Sequence, residues 1–533
     1  MTDRGRATKL ASACRVVVCC AAASSPGAAL AQDAAPAPAP QAPAALLDVP
    51  ASAPQSAPQS APQALAPLSL SLEEALRRAL ERNLDLAIDA ANLEARRARA
   101  GGAWGAFDPT YSLRAALLDR EQEAPSSLTG ADVLEENTQT FQGSLGLPLQ
   151  TGGRFDVSFN TENQETNSQF SLAEVATTDV VRVAYTQPLL RGAWRGYATS
   201  EQRLAELEFA QAREHRAVLR ADIALSVRRA YWDLVAAREQ VAVAELALRL
   251  AGEQVQQNQR RLDVGVGTEV DVLQARTTLA QREEQLLSAR TAVANAEDAL
   301  RALVLGRAQG EAWQQSLAAW NAPLDPTTPL YDPAAQPTPP VDEVLASALG
   351  QRAELAEQRL LIEAAEVRLS RAVSELRPAL DAALSATSVG FDGDPGEAFD
   401  KSIGFDFPAL EASLTLSGPL RNRTARGNER AGRAELRAAL LGYDKAELAI
   451  LTEVRNAVRE LAHQAEAVAA AEKSVELARR QLEAEQARYA QGLSTTFQLL
   501  DFQQQLAAAL GSRTNALAGY ARAQAQLARA RGA

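Results

Sequence analysis

The sequence predicts a mainly α chain with a β-barrel portion, laid out as two tandem copies of one unit: leading helix, strands, long helical hairpin. Three observations predict it. The stretch Leu72 to Pro109 aligns without a gap on Val341 to Pro378, pairing Glu74 with Glu343, Leu76 with Leu345, Ala79 with Ala348 and Leu86 with Leu355. No proline occurs from Leu189 to Ala322 or from Leu420 to the C-terminus, and both stretches are rich in Ala, Leu, Glu, Arg and Gln. Between these come segments of apolar and polar alternation, the period of a strand with two unlike faces.

The chain has 533 residues and a formal net charge of −12. Residues 1–31 read as a secretory signal: Arg4, Arg6, Lys9 and Arg15, an apolar stretch through Val16 to Val18, then Ala29-Leu30-Ala31 as the cleavage site. Cys14, Cys19 and Cys20 all lie in this leader, so the mature chain is expected to hold no thiol, disulfide or thiolate metal site. Ala11-Ser12-Ala13-Cys14 resembles a lipoprotein cleavage site, but it precedes the apolar region. Losing the leader takes the net charge to about −15, which argues against nucleic acid as a partner. No mature apolar run approaches the roughly 20 residues of a spanning helix, so a membrane crossing has to be a closed β-barrel.

Residues 32–68 are almost all Ala, Pro, Gln and Ser and are expected to be an extended, disordered linker. The first repeat follows at 69–308. A second linker, 309–340, carries Pro323, Pro326, Pro329, Pro333, Pro337, Pro339 and Pro340, with a short helix expected near Trp313 to Trp320. The second repeat is 341–533.

Within the first copy, Tyr111, Leu113 and Leu117 alternate with Ser112, Arg114 and Ala116, and Phe141, Leu145 and Leu147 with Gln142 and Ser144. Phe155, Val157 and Phe159 alternate with Asp156, Ser158 and Asn160, and Val181, Val183 and Tyr185 with Arg182 and Thr186. In the second copy Leu410, Ala412, Leu414 and Leu416 do the same. Such strands suit a barrel with lipid outside and water within, and equally a soluble sandwich. Trp104, Phe107, Trp194 and Tyr197 flank them, as an interfacial aromatic belt or as ordinary packing.

Helices are expected from about Ala198 to Arg261, roughly 95 Å at 1.5 Å per residue, and from about Thr424 to Tyr489. Each turns at a glycine break, Gly265-Val266-Gly267-Thr268 and Gly492-Leu493-Ser494-Thr495. The returning segments carry heptad seams: Val272, Ala275, Leu279, Leu286, Ala289, Val293, Leu300 around Arg282, and Leu499, Phe502, Leu506, Ala509, Tyr520, Leu527 around Arg513. Heptads alone fit a periplasmic coiled-coil adaptor or scaffold without a pore equally well. An adaptor, however, has one hairpin splitting a β-rich module, and this chain has two hairpins. His215 and His463 are the only histidines, and Ser, Asp and Glu form no recognisable nucleophile-and-base or metal-ligand spacing, so no catalytic residue, metal or cofactor is expected.

With these motifs in order and in duplicate, the chain resembles the TolC-type outer-membrane efflux proteins over everything after the proline-rich linker. The carrying residues are Pro109 and Pro378 ending the leading helices, the strand exits Thr186-Gln187-Pro188-Leu189 and Ser417-Gly418-Pro419-Leu420, the tips Val264-Gly265-Val266 and Gln491-Gly492-Leu493, and the helix starts Val270-Asp271-Val272-Leu273 and Phe497-Gln498-Leu499-Leu500-Asp501. The resemblance implies a homotrimer: a transmembrane β-barrel in outer-membrane lipid continued by a long α-helical coiled-coil periplasmic tunnel. It implies passive conduction in a tripartite efflux or type I secretion system, with a periplasmic adaptor (membrane fusion protein) and an inner-membrane pump of RND or ABC type. The tips Val264, Gly265, Val266, Gln491, Gly492 and Leu493 would bind the adaptor. Tyr489 and Asp271 sit where the family forms a latch between neighbouring hairpins, and Asp501 where an aspartate rings the pore. Two positions depart from the pattern: Gln498 replaces a second ring aspartate, and Ser494 stands where a latch arginine is found. Asp271 and Asp501 also suit a plain helix N-terminus, where acidic side chains are favoured. The family usually supplies two strands per copy, whereas the first copy here shows four alternating segments, joined in the middle by Thr151-Gly152-Gly153.

Overall fold

The computed structural model describes residues 68–123, 132–168, 175–305, 320–330 and 337–532. The expected signal sequence, nearly all of the expected 32–68 linker and all but Trp320 of the helix expected near Trp313 to Trp320 lie outside the described residues; Trp320 itself is helical.

Uninterrupted good helix formers give two very long helices, α3 (Ser200–Asp263) and α8 (Arg423–Ala490), of 64 and 68 residues. Their return partners α4 (Glu269–Val304) and α9 (Thr496–Arg531) have only 36 residues each. The upper part of each long helix therefore packs on a different element, α2 (Leu84–Ala103) against α3, and α6 (Ala353–Glu375) against both α3 and α8. Seam residues Val272, Ala275, Leu286 and Leu300 are buried on α4, as are Leu499, Leu506, Ala509, Tyr520 and Leu527 on α9.

The leading helices differ from the single helix read from the sequence. Each is broken, α1 (Leu72–Arg82) from α2 at Asn83, and α5 (Val341–Gln351) from α6 at Arg352. Both break residues are extended, with ψ of 131° and 120°. Asn83 caps α2 by accepting from the backbone N–H of Asp85 at 2.8 Å. Arg352 does its work with charge, donating to Glu354 and Glu453, each at 2.8 Å.

At the waist, β1 (Leu68–Leu70) pairs in parallel with β6 (Leu324–Pro326). The core beneath them joins Leu70, Ala79, Tyr231, Trp232, Leu300 and Leu324. Buried Tyr231 satisfies its hydroxyl by donating to the Leu70 carbonyl at 3.1 Å and accepting from the Thr328 N–H at 2.9 Å.

Beyond the far end of α2, α3, α6 and α8 stands one antiparallel sheet of six strands in the order β2 (Thr110–Glu123), β3 (Val133–Pro148), β4 (Arg154–Thr166), β5 (Val175–Pro188), β7 (Ala379–Asp392), β8 (Pro408–Ser417). All four alternating segments of the first copy are strands of this sheet. β7 was not read from the sequence, because Ala379 to Ala386 is alanine-rich and its alternation is faint. Cross-strand register puts Leu113, Phe141, Phe155, Val157, Val183, Leu384 and Leu410 on one face, and Arg114, Gln142, Asp156, Ser158, Arg182, Ser385 and Glu411 on the other. On the apolar face Tyr111 is 81% and Leu410 82% exposed, as side chains that meet lipid are in a single chain. The β7–β8 connection carries α7 (Pro395–Gly404), which folds back over the outer, polar end of that same face. Gly390 permits the approach, since a Cβ there would lie 1.8 Å from the Ala398 carbonyl oxygen. Trp194 is exposed at the base of the sheet, while Trp104 donates to Glu206 at 3.0 Å.

Candidate functional site

The hairpin tips lie at the end opposite the sheet, and both are built by the same local chemistry. Each long helix ends on a left-handed glycine, Gly265 at φ 79° and Gly492 at φ 75°, a conformation that costs a side chain. The next amide reaches back across the turn: Val266 donates to the Arg261 carbonyl and Leu493 to that of Arg488, both at 2.9 Å. Each return helix starts with a threonine in a reciprocal capping box, Thr268 with Asp271 and Thr495 with Gln498. The loops and the first turns of the return helices project apolar side chains into solvent. Val264, Val266, Val270, Leu273, Leu493 and Phe497 are all exposed, Val266 at 67%.

Behind the loops the two hairpins are tied together by Tyr489, which is 4% exposed. Its hydroxyl donates to Asn258 Oδ1 at 2.8 Å, accepts from Gln254 Nε2 at 3.3 Å, and lies 3.2 Å from Thr496 Oγ1. Its ring lies 4.7 Å beneath the Arg261 guanidinium. Asn258 in turn donates to the Asp271 backbone carbonyl at 3.0 Å. Tyr489 and Asp271 thus belong to one cluster, joined through Asn258 rather than by a direct contact.

The Asp271 carboxylate is occupied by its cap, accepting from the Thr268 hydroxyl at 2.5 Å. That bond is the main reason its carboxyl sits below the usual range; a bond from Thr496 and the Arg261 charge add to it against a smaller opposing effect of burial. Asp501, one turn into α9, is exposed and accepts from Gln505 at 2.7 Å. Gln498 is also exposed, with its Oε1 3.0 Å from Ser494 Oγ, whose single hydroxyl proton is directed to the buried Glu485.

Gln254, Asn258, Arg261 and Thr496 were not singled out from the sequence. The available signal was the run Ala251, Gln254, Asn258 at helical spacing: amides stand on the buried seam where aliphatic residues are the rule, and a buried amide needs partners.

A sheet with one apolar and one polar face, continued by two helices roughly 95–100 Å long with shorter return helices packed on them, defines an outer-membrane channel with a periplasmic tunnel. The chain belongs to the outer membrane efflux protein family, whose profile matches residues 154–306 and 344–533. Solved structures of similar fold include the outer membrane channel CmeC of Campylobacter jejuni, at TM-score 0.62 and 16% identity over 86% of this chain and 85% of that one. The outer membrane protein VceC of Vibrio cholerae has TM-score 0.61 and 19% identity over 86% and 96%. The open state of the MtrE outer membrane channel of Neisseria gonorrhoeae has 0.59 and 18% over 86% and 88%. No curated protein sequence matches the chain. The family consists of channel proteins rather than enzymes.

Proposed function

We propose that three copies of this chain form one duct that passively conducts substrates from a periplasmic adaptor and its inner-membrane pump, of RND or ABC type, to the outside. The observation that carries this reading is the contrast at the tips. Helices whose solvent faces are charged meet at tips that expose valine, leucine and phenylalanine, a patch that suits a protein partner. The tips Val264, Gly265, Val266, Gln491, Gly492 and Leu493 form the adaptor site. Tyr489 and Asp271, with Gln498, hold the tips in the closed arrangement, and Asp501 faces the pore, where symmetry brings three carboxylates together and favours cations.

Such a channel purifies from outer membrane as a trimer that conducts ions in a planar bilayer. Asp501→Ala is expected to reduce the cation selectivity of the closed-state conductance; unchanged selectivity removes Asp501 from the pore. A soluble, non-conducting product would replace the duct by a coiled-coil scaffold, a reading that leaves the exposed apolar face of the sheet without a purpose.

A further inference from the structure

The two copies contribute unequally to the sheet: four strands from the first and two from the second. From this we infer that the assembled mouth is an eighteen-stranded barrel, wide enough to pass bulky hydrophilic solutes. The inference rests on the trimeric duct proposed above, in which three sheets of six strands close on one another.

Four features place the additional hairpin in the barrel wall, neither plugging it nor hanging outside. Pairing is continuous through it, from Thr110↔Gly146 on β2 and β3 through Pro148↔Arg154 on β3 and β4 to Arg154↔Thr186 on β4 and β5. Both faces persist across it, with Phe141, Leu145 and Val157 on the apolar side and Gln142, Ser144 and Ser158 on the polar side. Its helix-side turn, Leu149 to Gly153, is seated where β5 passes into α3. The Trp194 N–H donates to the Thr151 carbonyl at 3.1 Å, and Gly152, at φ 86°, lies so close that a Cβ would be 2.4 Å from the Gly192 carbonyl oxygen. Finally, β2 runs away from the helices and β8 runs back, so β8 of one copy meets β2 of the next in antiparallel sense and closure leaves no edge.

Barrel diameter grows almost linearly with strand number. At a strand spacing of about 4.8 Å and a tilt of about 40°, eighteen strands give a backbone diameter of about 36 Å, against about 24 Å for twelve. The lumenal face mixes both signs of charge with uncharged polar groups, Arg114, Asp156, Ser158, Arg182, Ser385 and Glu411, a lining for hydrated cargo.

The test compares the full chain with a variant that joins Glu123 directly to Val175. This removes β3 and β4 and keeps the alternation of strand direction. Imaged end-on in lipid nanodiscs, the full-length trimer is expected to have a barrel about 1.5 times as wide as that of the variant, and about 36 Å across even if the variant does not assemble. A full-length trimer with a barrel of about 24 Å overturns the inference and leaves the duct intact, whereas the absence of any trimer overturns the duct itself. Polyethylene glycol added from the outer side in bilayer recordings reads the cargo claim. A polymer size that lowers the conductance of the full chain but not of the variant is expected; equal exclusion sizes overturn it.

Discussion

The two copies of the unit share a backbone and differ in how they are held. At the tips, Thr268 and Thr495 occupy the same capping position, yet the reciprocal partner is a carboxylate, Asp271, in one and an amide, Gln498, in the other. At the break in the leading helix, Asn83 caps with a neutral side chain, where Arg352 anchors a cluster with Glu354, Glu453 and, through Glu354, Arg529. The two units keep the geometry that the turns require and differ in the charges that stabilise it. At the break in the leading helix one copy is held by a local hydrogen bond, the other by ion pairs between helices.

The largest effect is expected where the hairpins meet. Tyr489→Ala deletes a buried ring and strands Asn258, Gln254 and Thr496, costing about 3–4 kcal/mol locally. Counted from the tip threonines, the equivalent residue of the first hairpin is Leu262, only partly buried, and Leu262→Ala is expected to cost about 1–2 kcal/mol. Closed-state conductance should rise several-fold for the tyrosine variant and little for the leucine one. Equal increases would mean that both tips hold the closed arrangement alike.

Arg352→Ala comes next. Its side chain is 5% exposed, and removing it leaves Glu453 without its guanidinium partner and Glu354 with Arg529 alone, at about 3 kcal/mol. Asn83→Ala, the loss of a cap, is expected to cost about 1 kcal/mol. Thermal unfolding followed by helical circular dichroism ranks them, and a reversed order would remove the contrast between charge and cap.

Acid sharpens the same contrast. Burial pushes the Glu354 carboxyl up, but bonds from Arg352 and Arg529 outweigh it and hold the group at about 2, down from 4.5. A lowered carboxyl contributes stability that is present above pH 4.5 and lost as pH falls from there towards 2. After allowance for partial solvent screening, that contribution is about 2 kcal/mol. Glu354→Gln should flatten this acid limb of the stability curve; an unchanged limb would place the acid sensitivity elsewhere.

The smallest effect separates the caps. Thr268→Ala and Thr495→Ala should each cost about 1 kcal/mol, seen as faster amide exchange at residues 269–272 and 496–499 respectively. In the unsubstituted protein, only the first tip should loosen as pH falls below 3.8, since the lowered Asp271 carboxyl then protonates while Gln498 does not titrate. Parallel loosening would show that the Asp271 charge adds nothing to its cap.

Much of this architecture was legible in the sequence for definite reasons. Proline absence and the glycines at 265 and 492 bound the long helices, because those two residue types punctuate backbone conformation. The strands of the first copy stood out where aromatic and β-branched residues alternate with polar ones. β7 did not, since alanine carries no facial preference strong enough to show a period of two. The breaks at Asn83 and Arg352 were hidden inside otherwise helical periodicity. At the tips the resemblance pointed to Tyr489 and Asp271, but the links between them run through Asn258, near the end of α3, and Thr496, at the start of α9, which only the packing brings together.

The mismatch in helix length has a mechanical consequence. α4 and α9 accompany α3 and α8 for about 54 Å and then stop at the waist, where α2 and α6 take over. Torsion applied at a tip therefore acts on a two-helix lever whose far end is clamped by the Tyr231 and Trp232 core. In the duct proposed above, the lower lever would unwind while the shaft above it and the sheet it carries keep their registry, so an inlet would change bore without loosening the seal in the membrane.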